Sequence, residues 1–476
     1  MDLRDLLAGV PIRDASPDLP RDVTGAGYDS HTIQPGQAFV AIPGAAADGH
    51  DYTALARQRG ASCAISTHPV EGLPYVIVPD TRQALARIAG NFFRHPDREL
   101  HLIGVTGTNG KTTVTYLLRH ILRHTGLKTG LIGTVENLVE EQAFPAQRTT
   151  PDALQLQRLL AQMAEAGCTY AVMEVSSHAL VQHRVDGIGF AVGIFTNLTE
   201  DHLDYHGTMD SYCDAKARLF RMSRAAVCNA DDPWTERLLA GTSCRTVRYG
   251  LHAPCDLWAE DIVLRDRSAA FTACTAQERA AVRLGVPGLF SVYNTLAAMA
   301  ACGALGIPLK TCAEALADFA GVKGRMEVVP TPEKPYTVLI DYAHTPDALE
   351  NVLKTVRGFA KGRLIAVFGC GGDREKEKRP LMGRIAAELA DVAVVTSDNP
   401  RSEEPMAIIQ DILTGIAPTG KKSIIEPDRR AAIALAMKQA GAGDVIILCG
   451  KGHETYQEIG GRMLPMDERE IVQALL

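Results

Sequence analysis

Apolar positions along the chain follow two alternating rhythms. Short continuous apolar runs read as buried strands, and stretches with apolar residues three and four apart read as helices. Near the start, the runs Gln37–Pro43, Ala61–Ser66 and Tyr75–Pro79 alternate with helical patterns at Tyr52–Arg59 and Thr81–Phe93, which predicts a small α/β domain. A strand over His101–Thr106 then leads through a glycine loop into a helix from Lys111 to about His124. Strands predicted at Thr129–Ile132, Tyr170–Val175 and Val192–Asn197, with helix-length segments between them, give a parallel sheet with crossover helices. After Arg325, strands at Tyr336–Ile340, Arg363–Phe368, Val392–Thr396 and Asp444–Cys449 alternate with helices as in a doubly wound domain. The expected fold is α/β in three domains, drawn at residues 1–89, 90–325 and 326–476. They are a small N-terminal α/β domain, a central P-loop ATPase-type parallel sheet with helices, and a C-terminal Rossmann-like domain. The length of 476 residues fits this, at about 150 residues per domain.

With 46% hydrophobic and 22% charged residues, the chain has the apolar surface an ordered globular protein needs. Its 49 Lys and Arg against 56 Asp and Glu leave a net charge of −7, which argues against a nucleic-acid partner. Eleven cysteines occur without a CxxC, several of them in apolar runs (Cys168, Cys302, Cys449). That usage predicts reduced, buried thiols in a cytoplasmic protein rather than disulfides or a zinc knuckle. The first residues, Met1-Asp2-Leu3-Arg4-Asp5, carry acids where a signal peptide is basic. The longest apolar stretch, Leu296–Leu309, falls short of the roughly 20 residues of a membrane span, so no membrane insertion is expected.

Gly107-Thr108-Asn109-Gly110-Lys111-Thr112-Thr113 joins the predicted strand to the predicted helix. Glycines let successive N–H groups curl toward a phosphate, and the helix N-terminus adds its positive dipole end. Val105 stands where the general G-x-x-x-x-G-K-[ST] pattern wants its first glycine, but the tighter G-x-x-G-K-T is met. Lys111 is placed to neutralise the β- and γ-phosphates, and the Thr112 hydroxyl to ligate Mg²⁺. Glu174 ends a strand that reads as buried, and a lone buried carboxylate calls for a cation. Polar clusters follow at Ser176–His178, Gln182–Arg184 and Asn197–His206. Spacing does not choose among His202, His206 and the neighbouring acids, and by itself Lys216 reads as a solvated helix lysine. Four polar motifs follow strands of the third domain: Asp341–His344, Gly369–Arg374, Asp398–Arg401 and Gly450–Glu454. Together they form one rim at the carboxyl ends of the strands, where open sheets bind ligands. Arg374 also breaks the last position of a G-x-G-x-x-G, which weakens a dinucleotide reading. The run Arg374–Arg379 reads as a solvated helix start.

Taken in order, Gly107–Thr113, Glu174–His178, Asn197–Gly207, Lys216, Asp341–Asp347, Asp398–Arg401 and Gly450–Glu454 resemble the Mur ligase family of ATP-dependent amide-forming enzymes. The resemblance covers nearly the whole chain and implies a role in peptidoglycan precursor synthesis. It implies ATP on Gly107, Thr108, Asn109, Gly110, Lys111, Thr112 and Thr113, with Asn294, Arg325 and Asp341 also at the nucleotide. It implies two Mg²⁺ sites served by Thr112, Glu174, His202 and Lys216, with Lys216 carrying a CO₂-derived carbamate. Ser30, Thr149, Thr150, Ser176, Gln182 and Arg184 match contacts to a uridine-nucleotide substrate, UDP-MurNAc-L-Ala-D-Glu. Asp398, Asn399, Pro400 and Arg401 match the family's recognition tetrapeptide for meso-diaminopimelate, with Arg374, Gly450 and Glu454 completing that pocket. Catalytic roles fall to Lys111, Glu174, His202 and Lys216, and a monomer is expected. Rival readings are a ligase for L-lysine, one similar to folylpolyglutamate synthetases, and a P-loop module that uses ATP without forming a bond.

Overall fold

The computed structural model describes residues 1–44, 47–252 and 254–476. Three main sheets carry the architecture, and one continuous buried cluster runs across the second and third. The first has five strands in the order Asp14–Ala15, Tyr75–Ile77, Cys63–Ser66, Gln37–Val40, Gly25–Gly27. The helix Thr81–Phe92 covers it and starts where the Asp80 carboxylate accepts from the Arg82 and Gln83 N–H groups, a side-chain N-cap.

The second sheet has eleven strands. Its middle is parallel: Leu257–Leu264, Arg245–Gly250, Ser223–Asn229, Phe190–Phe195, His101–Thr106, Tyr170–Glu174 and Thr129–Ile132 lie side by side in that order. The parallel sheet expected from the sequence is extended at both edges by antiparallel strands. Glu136–Val139 and Gln142–Pro145 add to one edge, Ala269–Cys274 and Arg279–Leu284 to the other. Of these edge strands, Arg279–Leu284 alternates strictly exposed and buried, as a strand with one face in solvent does. The helix Lys111–His124 lies over the middle strands. It buries Val114, Leu117, Leu118, Ile121 and Leu122, one stripe at helical spacing, against the same core as the helix Leu289–Ala304. That packing fixes the start of the first helix, and so the phosphate loop.

The third sheet runs Glu327–Val329, Thr337–Asp341, Val445–Cys449, Leu364–Phe368, Val392–Val395, Ser423–Ile425, parallel except for the first strand. Inserting Val445–Cys449 between Thr337–Asp341 and Leu364–Phe368 opens a crevice at the carboxyl ends of the strands. Arg267 clamps this domain to the central one, donating to Thr337 Oγ1 (3.0 Å), Thr331 Oγ1 (3.1 Å) and the Tyr336 carbonyl (2.9 Å). On the other side, Tyr28 of the first domain donates to Asp152 Oδ2 (3.0 Å), and Asp152 also caps the helix Ala153–Glu165.

The eleven cysteines are all unpaired, and Cys168, Cys302 and Cys449 are buried. The apolar run Leu296–Leu309 is the second half of a buried helix and the turn that follows it. Among the described residues no helix is long and apolar enough to cross a membrane. Inside the third domain Arg429 and Glu468 form a fully buried ion pair (2.8 Å), and Arg429 also donates to the Ser397 and Cys449 carbonyls. Removing one partner strands the other charge in the core. Arg429→Ala is expected to destabilise the protein by about 3–5 kcal/mol, read as a lower urea midpoint. A midpoint equal to that of the parent would contradict this.

Candidate active site

Residues 107–110 form the turn between the strand His101–Thr106 and the helix Lys111–His124. Two of its glycines are required. Gly110 has φ +87°, and a Cβ there would collide with Asn294 Oδ1; Gly107 has φ +148°, where a Cβ would meet Thr196 Oγ1. Gly110 caps the helix without a side chain, leaving the N-terminus open to an anion. The loop is stitched to the end of the neighbouring strand Phe190–Phe195. Asn109 donates its N–H to Asn197 Oδ1 (2.9 Å), Thr196 Oγ1 donates to the Asn109 carbonyl (2.6 Å), and the Thr199 N–H donates to Thr108 Oγ1 (3.0 Å).

Lys111 folds back over the loop and donates to the Gly107 (3.0 Å) and Thr108 (2.8 Å) carbonyls. Burial pulls its pKa down, while Glu174 and Asp201 pull it up. Thr112 is buried beside it, and Thr113 is half-buried. Glu174 sits opposite Val105 on the adjacent strand, so it lies one strand over from the phosphate loop. It is 1% exposed; its carboxylate accepts from the Thr134 N–H (2.8 Å) and Thr134 Oγ1 (3.1 Å). No signal in the sequence pointed to Thr134.

Lys216 is not the solvated lysine that helix position alone suggests. It is 1% exposed on the helix Met209–Arg221 and donates to the Gly107 carbonyl at 2.9 Å. Its ammonium also lies 4.3 Å from the Tyr212 ring centroid. Burial, and then the charge of Lys111, hold its pKa well below the usual lysine value. His202 is more exposed, 3.5 Å from an Asp201 carboxylate oxygen, and its ring meets that of His178 at 4.8 Å. His206 pairs with Ser177 Oγ (2.9 Å), and burial with neighbouring cations lowers its pKa to about 4.

The residues expected at the uridine nucleotide also gather, with one exception. Thr150 Oγ1 donates to the Glu174 carbonyl (2.8 Å) and accepts from the Ser176 N–H (3.0 Å). Arg184 donates to the Thr150 carbonyl (2.8 Å) and to Gln182 Oε1 (2.6 Å). Thr149 and Thr134 share a hydroxyl contact of 3.0 Å, tying this network to Glu174. Ser30 stands apart from it, buried two residues beyond Tyr28 in the loop that reaches Asp152.

Asn294 faces the phosphate loop at Gly110. Arg325 stacks 5.1 Å from the Tyr342 centroid, and its buried Nε has no partner among the described residues. Asp341 accepts from the Met326 (2.8 Å) and Ala343 (2.9 Å) N–H groups, and burial raises its pKa. Asp347 feels the charges of Asp201 and Glu200, so the third domain faces the phosphate loop's own surroundings.

On the third domain, Asp398, Asn399 and Pro400 are buried, and Arg401 takes φ +52°. Arg401 Nη1 donates to the Gly372 carbonyl (2.8 Å), and Nε lies 3.3 Å from Glu458 Oε2. Gly450, at φ +113°, packs against Asp398 Oδ2, and Asn399 donates to Glu454 Oε2 (3.0 Å). Arg374 is exposed, and among the described residues its one hydrogen bond is to the Asp373 carbonyl, at 3.4 Å. Arg379 departs from the solvated helix start: it is fully buried between Glu403 and Asp411. Glu403 also accepts from the Asp373 N–H (2.6 Å), so Arg379 braces the loop before Arg374 against the one after Arg401.

The donor set near Lys111 suits a hard cation. Glu174 and Thr112 offer oxygen, and Mg²⁺ takes one or two carboxylates together with phosphate oxygens. No group of three or more His, Cys, Asp or Glu residues among the described residues forms a metal cage of protein alone.

Family models match the chain in three successive segments. They are the Mur ligase family catalytic domain over residues 22–93, the Mur ligase middle domain over 105–302, and the Mur ligase glutamate ligase domain over 324–452. A UDP-N-acetylmuramoyl-L-alanyl-D-glutamate--2,6-diaminopimelate ligase of Geobacillus thermodenitrificans is 46% identical over 463 residues, 95% of this chain and 94% of that protein. One of the same name from Gloeobacter violaceus is 47% identical over 479 residues, covering 99% and 97%. The solved structure of a ligase of that name superposes with a TM-score of 0.72 at 34% identity, covering 100% and 98% of the two chains. A folylpolyglutamate synthase of Mycobacterium tuberculosis shares the fold, at 17% identity and a TM-score of 0.63. With its three matched segments in order and relatives alike from end to end, the chain belongs to the Mur ligase family.

Proposed function

We propose that this chain is an ATP-dependent amide ligase, forming ADP and phosphate, for one step of peptidoglycan precursor synthesis. It joins an amine of meso-2,6-diaminopimelate to the γ-carboxylate of the D-glutamate unit in UDP-MurNAc-L-Ala-D-Glu. The observation that carries this reading is the pocket of Asp398, Asn399, Pro400 and Arg401 beside Glu454, in a chain 46% identical to ligases named for that amino acid. Residues 1–89 are assigned to the uridine-nucleotide substrate, 90–325 to ATP and 326–476 to the amino acid. The unpaired thiols fit a reducing compartment, the cytoplasm.

The carboxylate and the amine do not condense in water unaided. The γ-phosphoryl group of ATP passes to the γ-carboxylate, giving an acyl phosphate and ADP. The amine then adds to the acyl carbon, and phosphate leaves from the tetrahedral intermediate. Lys111 and the open helix N-terminus stabilise charge as the phosphoryl group moves. Thr112, Glu174, His202 and a carbamylated Lys216 would hold Mg²⁺, which supplies positive charge at the phosphates. Arg184, Thr149, Thr150, Ser176, Gln182 and Ser30 hold the uridine nucleotide. Arg325, Asn294 and Asp341 orient ATP from the side facing the third domain. Closure of that domain brings the amine to the acyl phosphate and excludes water, which would otherwise hydrolyse it.

Diaminopimelate differs from lysine by a carboxylate on its distal carbon. Arg401 Nη2 has no hydrogen-bond partner among the described residues, and the fork it belongs to suits that carboxylate. Sites built around such a group reject analogues lacking it by up to roughly 10⁴-fold. The test offers the wild-type enzyme UDP-MurNAc-L-Ala-D-Glu, ATP and either amino acid, and the expected product contains diaminopimelate. Equal use of lysine would defeat the assignment. Arg401→Ala is expected to raise the KM for diaminopimelate by about a hundredfold and to leave that for ATP nearly unchanged. An unaltered dependence on diaminopimelate would remove Arg401 from the pocket.

A further inference from the structure

We propose that Lys451 is a positioning residue for the amino-acid pocket: it fixes the direction of Asn399 and Glu454 without itself reaching the substrate. The inference rests on the reading of that pocket given above. Lys451 follows the strand Val445–Cys449 after a single glycine, and its side chain is 0% exposed. A buried ammonium is costly unless it is paired and hydrogen-bonded. Here it donates to Asn399 Oδ1 (2.8 Å) and Glu454 Oε2 (2.6 Å), with its Nζ 4.9 Å from the Tyr456 ring centroid.

This arrangement leaves Asn399 one orientation. An ammonium can only donate, and so can the Glu458 N–H, which also meets Asn399 Oδ1, at 2.9 Å. The amide oxygen must face both donors, so Nδ2 must face Glu454, where it donates to Oε2 at 3.0 Å. Glu454 Oε2 therefore accepts twice. Its other oxygen takes no hydrogen bond from the described residues, and the side chain is 16% exposed. One oxygen is locked and the other is presented to the pocket as an acceptor for an ammonium group. Without Lys451 the carboxylate hangs from Asn399 alone, and the amide oxygen is held by the Glu458 N–H alone. Outer groups that orient the ligands of a metal site typically matter by about 10–100-fold, and a similar scale is expected for Lys451.

Lys451→Met keeps the length and apolar stem of the side chain and removes its donors and charge. The expected result is a KM for diaminopimelate raised by about 10–100-fold. The KM values for ATP and for the uridine nucleotide, and kcat at saturating amino acid, should move little. Lys451→Gln retains an amide donor and is assayed alongside, with an intermediate KM expected. A KM for diaminopimelate equal to that of the parent overturns the proposal. So does a parallel loss in all three KM values, or a failure of both variants to give folded protein, because Lys451 would then support the domain and not the pocket. If the wild type took a different amino acid, the assignment of the pocket would fall. The same comparison made with that amino acid would still decide the role of Lys451.

Discussion

Lys111→Ala is expected to cut turnover by about 10²–10³-fold while the protein melts at the parent temperature. The loss follows from geometry. Lys111 is held over the loop by two carbonyls of that loop, at 3.0 and 2.8 Å, so its charge is already in place before a phosphate arrives. A pre-placed cation needs no reorganisation as charge builds in the transition state, and water cannot substitute for it in a closed site. Folding is spared because Lys111 opens its helix and lies outside the stripe from Val114 to Leu122 that packs on the sheet. Alanine is also the better helix former. Phosphate release under saturating substrates gives the rate, and a thermal melt gives the control. Near-parental turnover in a folded variant would show that the loop is not where ATP reacts.

What the sequence revealed of this site depends on how local each feature is. The phosphate loop was readable because strand, glycines, lysine and amphipathic helix occur within one short stretch. The strand ends of the third domain were readable for the same reason, since each polar motif directly follows a buried run. Features made by distant residues were not. Lys216 lies on the apolar face of its helix, between Tyr212 and Cys213 on one side and Leu219 and Phe220 on the other, but the carbonyl it donates to is 109 residues earlier in the chain, so its partner has no trace in that helix. Arg379 looks solvated among Glu375, Lys376 and Glu377, yet its partners Glu403 and Asp411 arrive from another loop and helix. The antiparallel edges of the central sheet are not legible from continuous apolar runs, the signature of a buried parallel sheet, although Arg279–Leu284 alternates exposed and buried. That Lys216 carries a carbamate is implied only by the resemblance, and its buried environment makes chemistry at that lysine feasible.

Lys216→Ala is expected to lose activity by at least about a hundredfold, with partial recovery when acetate or formate is added. A lysine reacts with CO₂ only through its neutral amine, giving a carbamate and releasing a proton. An ordinary lysine, with a pKa of about 10.4, is almost wholly protonated at neutral pH. Lys216 differs in two respects. Burial removes the solvation that favours the ammonium form, and the nearby charge of Lys111 opposes a second cation. Asp201 pulls the other way, more weakly. The neutral amine is therefore accessible, and a carbamate there would place a carboxylate-like group beside Lys111 and the phosphate loop. That group is what Mg²⁺ bound there would need. Alanine deletes it and leaves room next to the Gly107 carbonyl, where a small carboxylate can stand in. Turnover is measured with and without the added acid, and ¹³C-labelled CO₂ on the wild type reports the carbamate by its carbonyl resonance. Full activity in Lys216→Ala would end the proposal. So would a wild-type enzyme that stays fully active with no label at Lys216.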